Sequence, residues 1–255
     1  MTTNSETSNS NRPYKIIFLH HSTGWTIYQG GKQPNILSRK LFKNRAFVPQ
    51  WFQKYNQANS TNYQITEQFF PKKEPYGWSN YPYDYYNIWV KNAGPDYFMN
   101  EPTLEILTKQ YDLIVFKHCF PVSNIDEDSG LPDINSPEKR LENYKLQYQA
   151  LKNKFQEFPD TKFLLWTGAV QVEGKITREQ ALRTKEFVDW VRNEWDVQGD
   201  NVFLWDFYAL ETEGDLFLKQ ENATNPADSH PGSAFAEKAA ELFCQRIVNV
   251  IKYSE

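Results

Sequence analysis

The sequence predicts an α/β protein, a three-layer sandwich in which helices cover both faces of a central five-stranded parallel sheet. Two observations lead to this fold class. Five short apolar runs have the length and the β-branched or aromatic content of buried strands, and amphipathic helical patterns lie between and after them. Each connection between strands has to cross the sheet and return right-handed, which favours parallel strands. The five predicted strands cover residues 15–19, 63–66, 112–116, 162–166 and 201–205.

The predicted helices follow from the spacing of apolar side chains. A capping-box pattern formed by Thr177 and Gln180 opens one helix, which continues to Trp195. The last helix covers residues 235–250. The clearest helix lies near the middle of the chain, where apolar residues alternate in steps of three and four and form a single stripe. This stripe consists of Leu141, Tyr144, Tyr148, Leu151, Phe155 and Phe158.

We expect a single domain after a short disordered tail. The chain has 255 residues, a length that suits one large domain. Residues 1–13 are mostly polar and rich in Ser, Thr and Asn, so they are predicted to form the tail, and residues 14–255 the domain. Two further helices are expected around residues 35–55 and 103–110.

An aromatic-rich segment at about residues 67–100 is predicted to elaborate this domain. Phe, Trp and Tyr make up 11 of the 30 residues from 69 to 98. Such rings have flat apolar faces and could form a wall on which a sugar stacks. They could equally pack the long connection onto the sheet. We expect packing for most of the rings and a place in the functional site for one or two.

Composition and charge exclude several classes of protein. The two cysteines, Cys119 and Cys244, show no metal-ligand or disulfide-framework spacing. A formal net charge of -4 gives no electrostatic reason to expect nucleic acid or an anionic membrane as a partner. No apolar run reaches the roughly 18–20 residues that span a bilayer, and residues 1–12 lack the apolar core of a signal peptide. We therefore expect a cytoplasmic protein with a small uncharged substrate, no metal and no cofactor.

Reactive side chains follow the predicted strands. Ligands of open α/β sheets bind outside the carboxyl ends of the strands, so a site is expected among these segments. All four histidines lie there, namely His20, His21, His118 and His230. Successive residues of a strand point to opposite faces, so at most one of His20 and His21 faces the cleft. We expect both to be polar neighbours of the site rather than metal ligands.

Ser22 and His230 supply the parts of nucleophilic acyl transfer. A serine hydroxyl is inert at its own pKa, and an imidazole can take its proton and later return it. Both residues follow strands and should meet at one edge of the sheet. An acid has to fix the tautomer of the imidazole. Asp228 is the nearest candidate, and Asp206, which follows the fifth predicted strand, is the alternative.

A developing oxyanion needs hydrogen-bond donors. The backbone N–H of Ser22, a glycine N–H and a carboxamide are the candidate groups, and the sequence does not choose firmly among the glycines. The candidate residues for oxyanion or substrate binding are Gly24, Gly77, Gly168, Asn124 and His118.

These residues resemble those of the SGNH/GDSL hydrolase superfamily. The likeness consists of a serine just after the first strand, an Asp-Ser-His-Pro-Gly segment opening the last helix, and a flavodoxin-like alternation between them. It covers nearly the whole chain after residue 14. It implies a flavodoxin-like three-layer sandwich with Ser22 as nucleophile, His230 as base and Asp228 as acid. It also implies that Gly77 and Asn124 help to bind the oxyanion.

The chain departs from the pattern of that family in three places. The block after the third strand, normally Gly-x-Asn-Asp, reads Lys117-His118-Cys119-Phe120-Pro121-Val122-Ser123-Asn124 here. The Gly-Asp-Ser that usually surrounds the nucleophile reads His20-His21-Ser22 here. The acid usually stands three residues before the histidine, where this chain has Ala227, whereas Asp228 stands two residues before it.

The resemblance implies a serine esterase that acts on a small or carbohydrate ester, for example an acetyl group on a sugar. Hydrolysis and acyl transfer to an alcohol both stay open, as does the oligomeric state. Segment 23–26, Thr-Gly-x-Thr, is similar to a flavodoxin phosphate loop, so an FMN-binding protein is one alternative. A carbohydrate-binding relative without catalysis is another. A thiol nucleophile at Cys119 is a weaker alternative, because the adjacent His118 would point away from it.

Overall fold

Five parallel strands form the central sheet. A computed structural model describes residues 12–31, 46–77 and 80–252. The sheet has the order β2-β1-β3-β4-β5, which is the flavodoxin-like order, and every neighbouring pair is parallel. The predicted fold class is thereby confirmed. The strands are β1 (Tyr14–His20), β2 (Tyr63–Phe69), β3 (Leu113–Phe116), β4 (Lys162–Trp166) and β5 (Val202–Trp205).

Helices cover both faces of this sheet. In the described ranges they are α1 (Ser22–Tyr28), α2 (Phe47–Asn59), α3 (Pro82–Tyr86), α4 (Leu104–Leu107), α5 (Leu141–Phe155), α6 (Arg178–Trp190), α7 (Phe207–Thr212) and α8 (Ser233–Lys252). Alternate residues of β1 face opposite layers. Ile16 and Phe18 pack with α1, α2 and α8, whereas Ile17 and Leu19 pack with α3, α4, α5 and α6.

The predicted helices are recovered with shifted ends. Helix α5 ends at Phe155, so Phe158 of the apolar stripe lies beyond it. Thr177 and Gln180 form the predicted capping box of α6, and a π-helical turn, Val191–Trp195, continues that helix. The helix expected at 103–110 is only the single turn of α4. The one expected at 35–55 overlaps α2, and its part at 35–45 lies outside the described residues.

A short β-hairpin precedes the last helix, where the sequence indicated only a loop. Its strands are β6 (Ala223–Asn225) and β7 (Asp228–Pro231), which pair antiparallel. Strands of three and four residues are too short to show the alternation by which longer strands are recognised. The hairpin gives Asp228 and His230 an extended backbone.

The aromatic-rich segment contributes mainly to the core. Phe70, Tyr85 and Trp89 are fully buried in the layer that contains α3, α4, α5 and α6. Tyr81 is only partly buried and lines a cavity at the edge of the sheet. Most rings that can be placed therefore pack the long connection onto the sheet.

The predicted tail at 1–13 lies largely outside the described residues, which begin at Arg12. Arg12 donates two hydrogen bonds, of 2.6 and 3.2 Å, to the carboxylate of Asp112. None of the helices in the described ranges is both long and apolar enough to cross a membrane.

Candidate active site

The first helix places Ser22 at the carboxyl edge of the sheet. β1 ends at His20, His21 caps α1 in an extended conformation, and Ser22 is the first helical residue. β1 lies between β2 and β3, so the chain reverses its direction of winding beside it. This is the topological switch point at which open α/β sheets bind their ligands.

Ser22, His230 and Asp228 form one chain of hydrogen bonds. Ser22 Oγ lies 2.8 Å from His230 Nε2, and His230 Nδ1 lies 2.6 Å from Asp228 Oδ1. The same carboxylate oxygen also accepts the backbone N–H of His230 at 3.0 Å. A carboxylate beside Nδ1 favours the tautomer with its proton on Nδ1. Nε2 is then the acceptor for the proton of Ser22.

The strand conformation of β7 explains why an acid two residues before the histidine reaches it. Alternate side chains of a strand share a face, so Asp228 and His230 project to the same side. Ser229 projects to the other side, where it is buried and its Oγ accepts the backbone N–H of Val172 at 3.2 Å. Thr224 of β6 donates its hydroxyl to the carbonyl of His230 at 3.0 Å. These bonds hold the orientation of the strand.

The charge of Asp228 is favoured by this arrangement. Partial burial raises the pKa of Asp228, but the hydrogen bonds from the backbone and the ring of His230 lower it by more. The net pKa of the carboxyl lies below its ordinary value. Asp228 is therefore ionised at neutral pH and can stabilise a protonated His230.

A cavity of about 450 Å³ opens over the Ser22 hydroxyl. The imidazole of His230 is packed against the ring of Phe120, whose centroid lies 5.1 Å away at an interplanar angle of 87°. This edge-to-face contact supports the ring of His230 from the side. The lining residues are His21, Ser22, Asn80, Tyr81, Cys119, Phe120, Pro121, Lys139 and His230.

Asn80 joins the loops that follow β2 and β3, and the sequence did not single it out. Its Oδ1 accepts the backbone N–H of Cys119 at 2.6 Å, and its Nδ2 donates to the carbonyl of Phe70 at 2.6 Å. Nδ2 also donates to the hydroxyl of Tyr85, which donates in turn to the carbonyl of Lys117. Both amide hydrogens are thus used within the protein. Asn80 supports the wall of the cavity and has no amide hydrogen left for a ligand.

Comparisons with known proteins give partial structural similarities at low identity. No protein-family model matches the chain, and no curated protein matches it. A family two carbohydrate esterase from Cellvibrio japonicus is similar in structure, with a TM-score of 0.44, 15% identity and coverage of 94% of this chain. The present chain spans 62% of that esterase.

A second structural neighbour is also a carbohydrate esterase. Its active site is described as displaying divergent catalytic and non-catalytic binding functions. It shares 13% identity with this chain, with a TM-score of 0.40 and coverage of 92% of this chain and 68% of its own. Because both identities are low, the chemistry of the present site has to be derived from its own geometry.

The glycines proposed as oxyanion donors lie away from the lining of the cavity. Gly24 packs against β1, and a Cβ placed on it would lie 2.5 Å from His20 Cβ. Its small size therefore serves the packing of α1 on the strand. The N–H of Gly77 donates to the carbonyl of Lys72 at 3.3 Å within a turn. Gly168 follows β4 and packs near Val122.

Asn124 and His118 are also engaged elsewhere. The carboxamide oxygen of Asn124 accepts a hydrogen bond from Gln171. His118 is buried, and its Nε2 lies 2.7 Å from the hydroxyl of Tyr148. Neither residue is among those that line the described cavity. The side chain of His118 points into the layer beside the sheet, and that of Asn124 is bonded to Gln171.

The three histidines other than His230 do not converge. His20 is buried with its Nε2 3.4 Å from the carboxylate of Glu67, and His21 Nε2 lies 2.7 Å from the carbonyl of Pro71. Burial lowers the pKa of His21 to about 4 and that of His118 to about 3, so both are neutral at pH 7. The described part of the chain holds no group of three His, Cys, Asp or Glu side chains arranged to bind a metal.

The alternative acid and the alternative nucleophile have other partners. Asp206 caps α7 and accepts hydrogen bonds from Arg192 at 2.6 Å and Thr167 at 3.0 Å. Cys119 Sγ lies 3.9 Å from Ser22 Oγ and 3.9 Å from the ammonium of Lys117. The thiol is thus a neighbour of the serine hydroxyl.

The segment that resembles a flavin phosphate loop forms part of α1. Thr23 is fully buried, and Thr26 donates its hydroxyl to the carbonyl of Ser22 at 3.1 Å. These hydroxyls are directed at the protein. They form no open cradle of the kind that holds a phosphate.

Proposed function

We propose that this protein is a serine esterase that cleaves a small ester through an acyl-enzyme on Ser22. The observation that carries the proposal is the chain of hydrogen bonds from Asp228 through His230 to Ser22, which ends at a cavity. A nucleophile, a base that touches it and an acid that orients the base are the three parts of this chemistry.

The acylation step follows from this geometry. Ser22 Oγ attacks the carbonyl carbon of the ester while its proton moves to His230 Nε2. The carboxylate of Asp228 stabilises the imidazolium that forms. The tetrahedral intermediate then expels the alcohol, which takes the proton from His230 Nε2. The acyl group remains on Ser22 as a new ester.

Deacylation repeats the step with water as the attacking group. His230 Nε2 takes a proton from water, and the resulting hydroxide attacks the acyl carbon. When this second intermediate collapses, Ser22 recovers its proton from His230 and the carboxylic acid leaves. An alcohol in place of water would give acyl transfer by the same route.

We assign the backbone N–H of Ser22 as a donor to the oxyanion. Ser22 is the first residue of α1, and the first N–H groups of a helix have no acceptor within the helix. The amide hydrogens of Asn80 are already used for Phe70 and Tyr85, which leaves this residue in a supporting role. Removing one oxyanion donor from an enzyme typically costs about 10²–10³ in kcat.

The proposed substrate class is a small ester carried by a sugar or by an alcohol of similar size. Two aromatic rings, those of Tyr81 and Phe120, line the cavity beside the nucleophile. Aromatic rings offer apolar surfaces to the carbon faces of a sugar and polar tips to its hydroxyls. The acetyl ester of a sugar is therefore the first substrate to test.

The test is hydrolysis of 4-nitrophenyl acetate and of acetylated sugars by the purified protein. Substitution of Ser22 by Ala should lower kcat by at least about 10³-fold, as removal of a serine nucleophile does in other enzymes. The melting temperature should change little, because Ser22 is only partly buried. Ser136→Ala removes the hydroxyl of a half-buried serine, which accepts the backbone N–H of Glu138 at 3.1 Å, and it serves as the matched control. Full activity in Ser22→Ala would exclude the mechanism.

A further inference from the structure

Lys139 places a positive charge in the wall of the cavity that contains Ser22. It is the one cation among the residues that line this cavity in the described chain, and none of those residues is a carboxylate. The overall charge of -4 pointed to a small uncharged substrate. The charge of Lys139 in this wall has the opposite sign, and the negative charge of Asp228 is engaged with His230.

The ammonium group of Lys139 is held in place from two sides. Its Nζ donates to the carbonyl of Pro121 at 2.9 Å and lies 4.8 Å from the centre of the Tyr81 ring. The backbone carbonyl of Lys139 accepts the N–H of Asp126 at 2.7 Å, which fixes the segment itself. An ammonium has three hydrogens, of which Pro121 takes one. The group is thus ordered, with donors left for a ligand.

The carboxylates that act on Lys139 have other partners. Asp84 Oδ2 accepts the N–H of Tyr81 at 3.1 Å, and Asp126 Oδ1 accepts the amide of Gln180 at 3.4 Å. Both raise the pKa of Lys139, whereas burial, the larger effect, lowers it. Among the described residues, no carboxylate oxygen is in ion-pair contact with Lys139 Nζ. A partly desolvated cation without a contact counterion gains by meeting an anion.

We infer that Lys139 binds an anionic group of the ester substrate, a carboxylate, sulfate or phosphate, and thereby selects acidic esters over neutral ones. This inference deepens the proposed function and rests on it. The anion lies on either the acyl or the alcohol part of the substrate, and matched ester pairs distinguish the two. A charge-assisted hydrogen bond of this kind is worth a preference of at least about tenfold.

Two pairs of esters test the inference. The first pair is 4-acetoxybenzoate and its neutral methyl ester, which place the charge on the alcohol part. The second is 4-nitrophenyl hydrogen succinate and 4-nitrophenyl methyl succinate, which place it on the acyl part. The quantity to compare is the ratio of kcat/KM for the anionic ester to that for the neutral ester, measured at low ionic strength.

In the wild-type protein we expect this ratio to be at least about ten for one of the two pairs. The ratio should fall to about one in Lys139→Met and should keep its wild-type value in Lys139→Arg, which retains the positive charge. The fall should reside in KM, because the charge binds the substrate without touching the reacting atoms. Lys109→Met removes an exposed lysine that precedes β3, at the opposite edge of the sheet, and it should leave the ratio unchanged. A ratio near one for both pairs, or one that Lys139→Met leaves unchanged, would overturn the inference.

Binding to Ser22→Ala separates this inference from the proposed function. Calorimetry with 4-acetoxybenzoate and its methyl ester measures the preference without turnover. A preference for the acid that Lys139→Met abolishes supports the anion site even if no ester is hydrolysed. Equal binding of both esters contradicts the anion site while leaving esterase activity intact.

Discussion

Asp228 and His230 stand two residues apart on one face of β7, with Asp228 Oδ1 2.6 Å from His230 Nδ1. An extended backbone is the reason that this spacing works, since residues i and i+2 of a strand point the same way. The pair needs no longer loop to bring acid and imidazole together. The same strand then delivers His230 Nε2 to Ser22, which is 208 positions earlier in the chain.

Substitution Asp228→Asn tests the acid. The amide would present N–H groups to Nδ1 and favour the tautomer with its proton on Nε2, which cannot accept the proton of Ser22. The same change in serine proteases costs about 10⁴ in kcat, so we expect a loss of about 10³–10⁴-fold in ester hydrolysis. Steady-state kinetics at pH 7–8 measure it.

Asp206→Asn is the matched control for that variant. Asp206 bonds Arg192, Thr167 and the first turn of α7, so its substitution should affect stability and leave most of the activity. A larger loss of kcat in Asp206→Asn than in Asp228→Asn would show that Asp228 is not the acid that orients His230.

Asn80→Ala tests the support of the cavity wall. The variant leaves the buried N–H of Cys119 and the carbonyl of Phe70 without their partner, at about 1–3 kcal/mol each. Ala is also strained at the φ of +61° that Asn80 adopts. Urea unfolding should therefore show a loss of about 2–5 kcal/mol. Asn59→Ala, at an exposed position on α2, should stay within about 0.5 kcal/mol of wild type, and equal losses in the two variants would refute this role.

Cys119→Ala distinguishes serine from thiol chemistry. The Sγ of Cys119 lies 3.9 Å from Ser22 Oγ, while the adjacent His118 bonds Tyr148 instead of the thiol. We expect kcat to fall by less than about tenfold, the effect of a changed neighbour, against the loss of about 10³-fold or more for a missing nucleophile. An inactive but folded Cys119→Ala protein would make the thiol the reacting group.

Four strands, β1, β3, β4 and β5, could be predicted from the sequence because most of their side chains are buried on both faces of the sheet, whereas none of the side chains of the edge strand β2 is buried. Residues such as Ile16 and Ile17 of β1 enter opposite layers, so the run is apolar throughout and stands out from its surroundings. The placement of Ser22 and His230 at one edge then follows from the topology of a parallel sheet. Hairpin β6–β7 was missed because its strands are too short to leave a pattern.

The cavity wall could not be predicted for a different reason. Asn80 belongs to the long connection after β2, where no local pattern separates it from its neighbours, and only its tolerance of positive φ fits the position. Gly24 and His118 do follow strands, yet Gly24 lies within α1 and packs against β1, and His118 bonds Tyr148 within the adjacent layer. A position in the chain identifies the edge of the sheet, and packing alone decides which way a side chain turns.

The buried carboxyl of Glu211 should make the stability of the protein depend on pH, and the substitution Glu211→Gln should remove this dependence. Glu211 is fully buried on α7, and its Oε2 accepts the N–H of Val170 at 2.8 Å. Burial raises the pKa of Glu211 from 4.5 to about 8, against the opposing effects of that N–H and of Lys117. Between pH 4.5 and about 8, Glu211 is therefore protonated in the folded protein and ionised in the unfolded chain.

The contribution of Glu211 to the free energy of unfolding is thus fully present below about pH 4.5 and is lost as the pH rises to about 8. Between these values the free energy of unfolding falls by about 1.4 kcal/mol per pH unit. Gln keeps the acceptor for Val170 without a titrating group, so the melting temperature of Glu211→Gln relative to wild type should rise with pH across this window. Glu241→Gln, at an exposed position of α8, should show no such trend. Parallel curves for wild type and Glu211→Gln would contradict the assignment.

The most direct test of the central claim is to label the protein with a fluorophosphonate and to map the modified peptide by mass spectrometry. An activated serine reacts with this reagent, whereas an ordinary serine does not. We expect one adduct per chain on Ser22, strongly slowed in His230→Gln and absent in Ser22→Ala. An adduct on a different serine, or ester hydrolysis without any adduct on Ser22, would contradict the account.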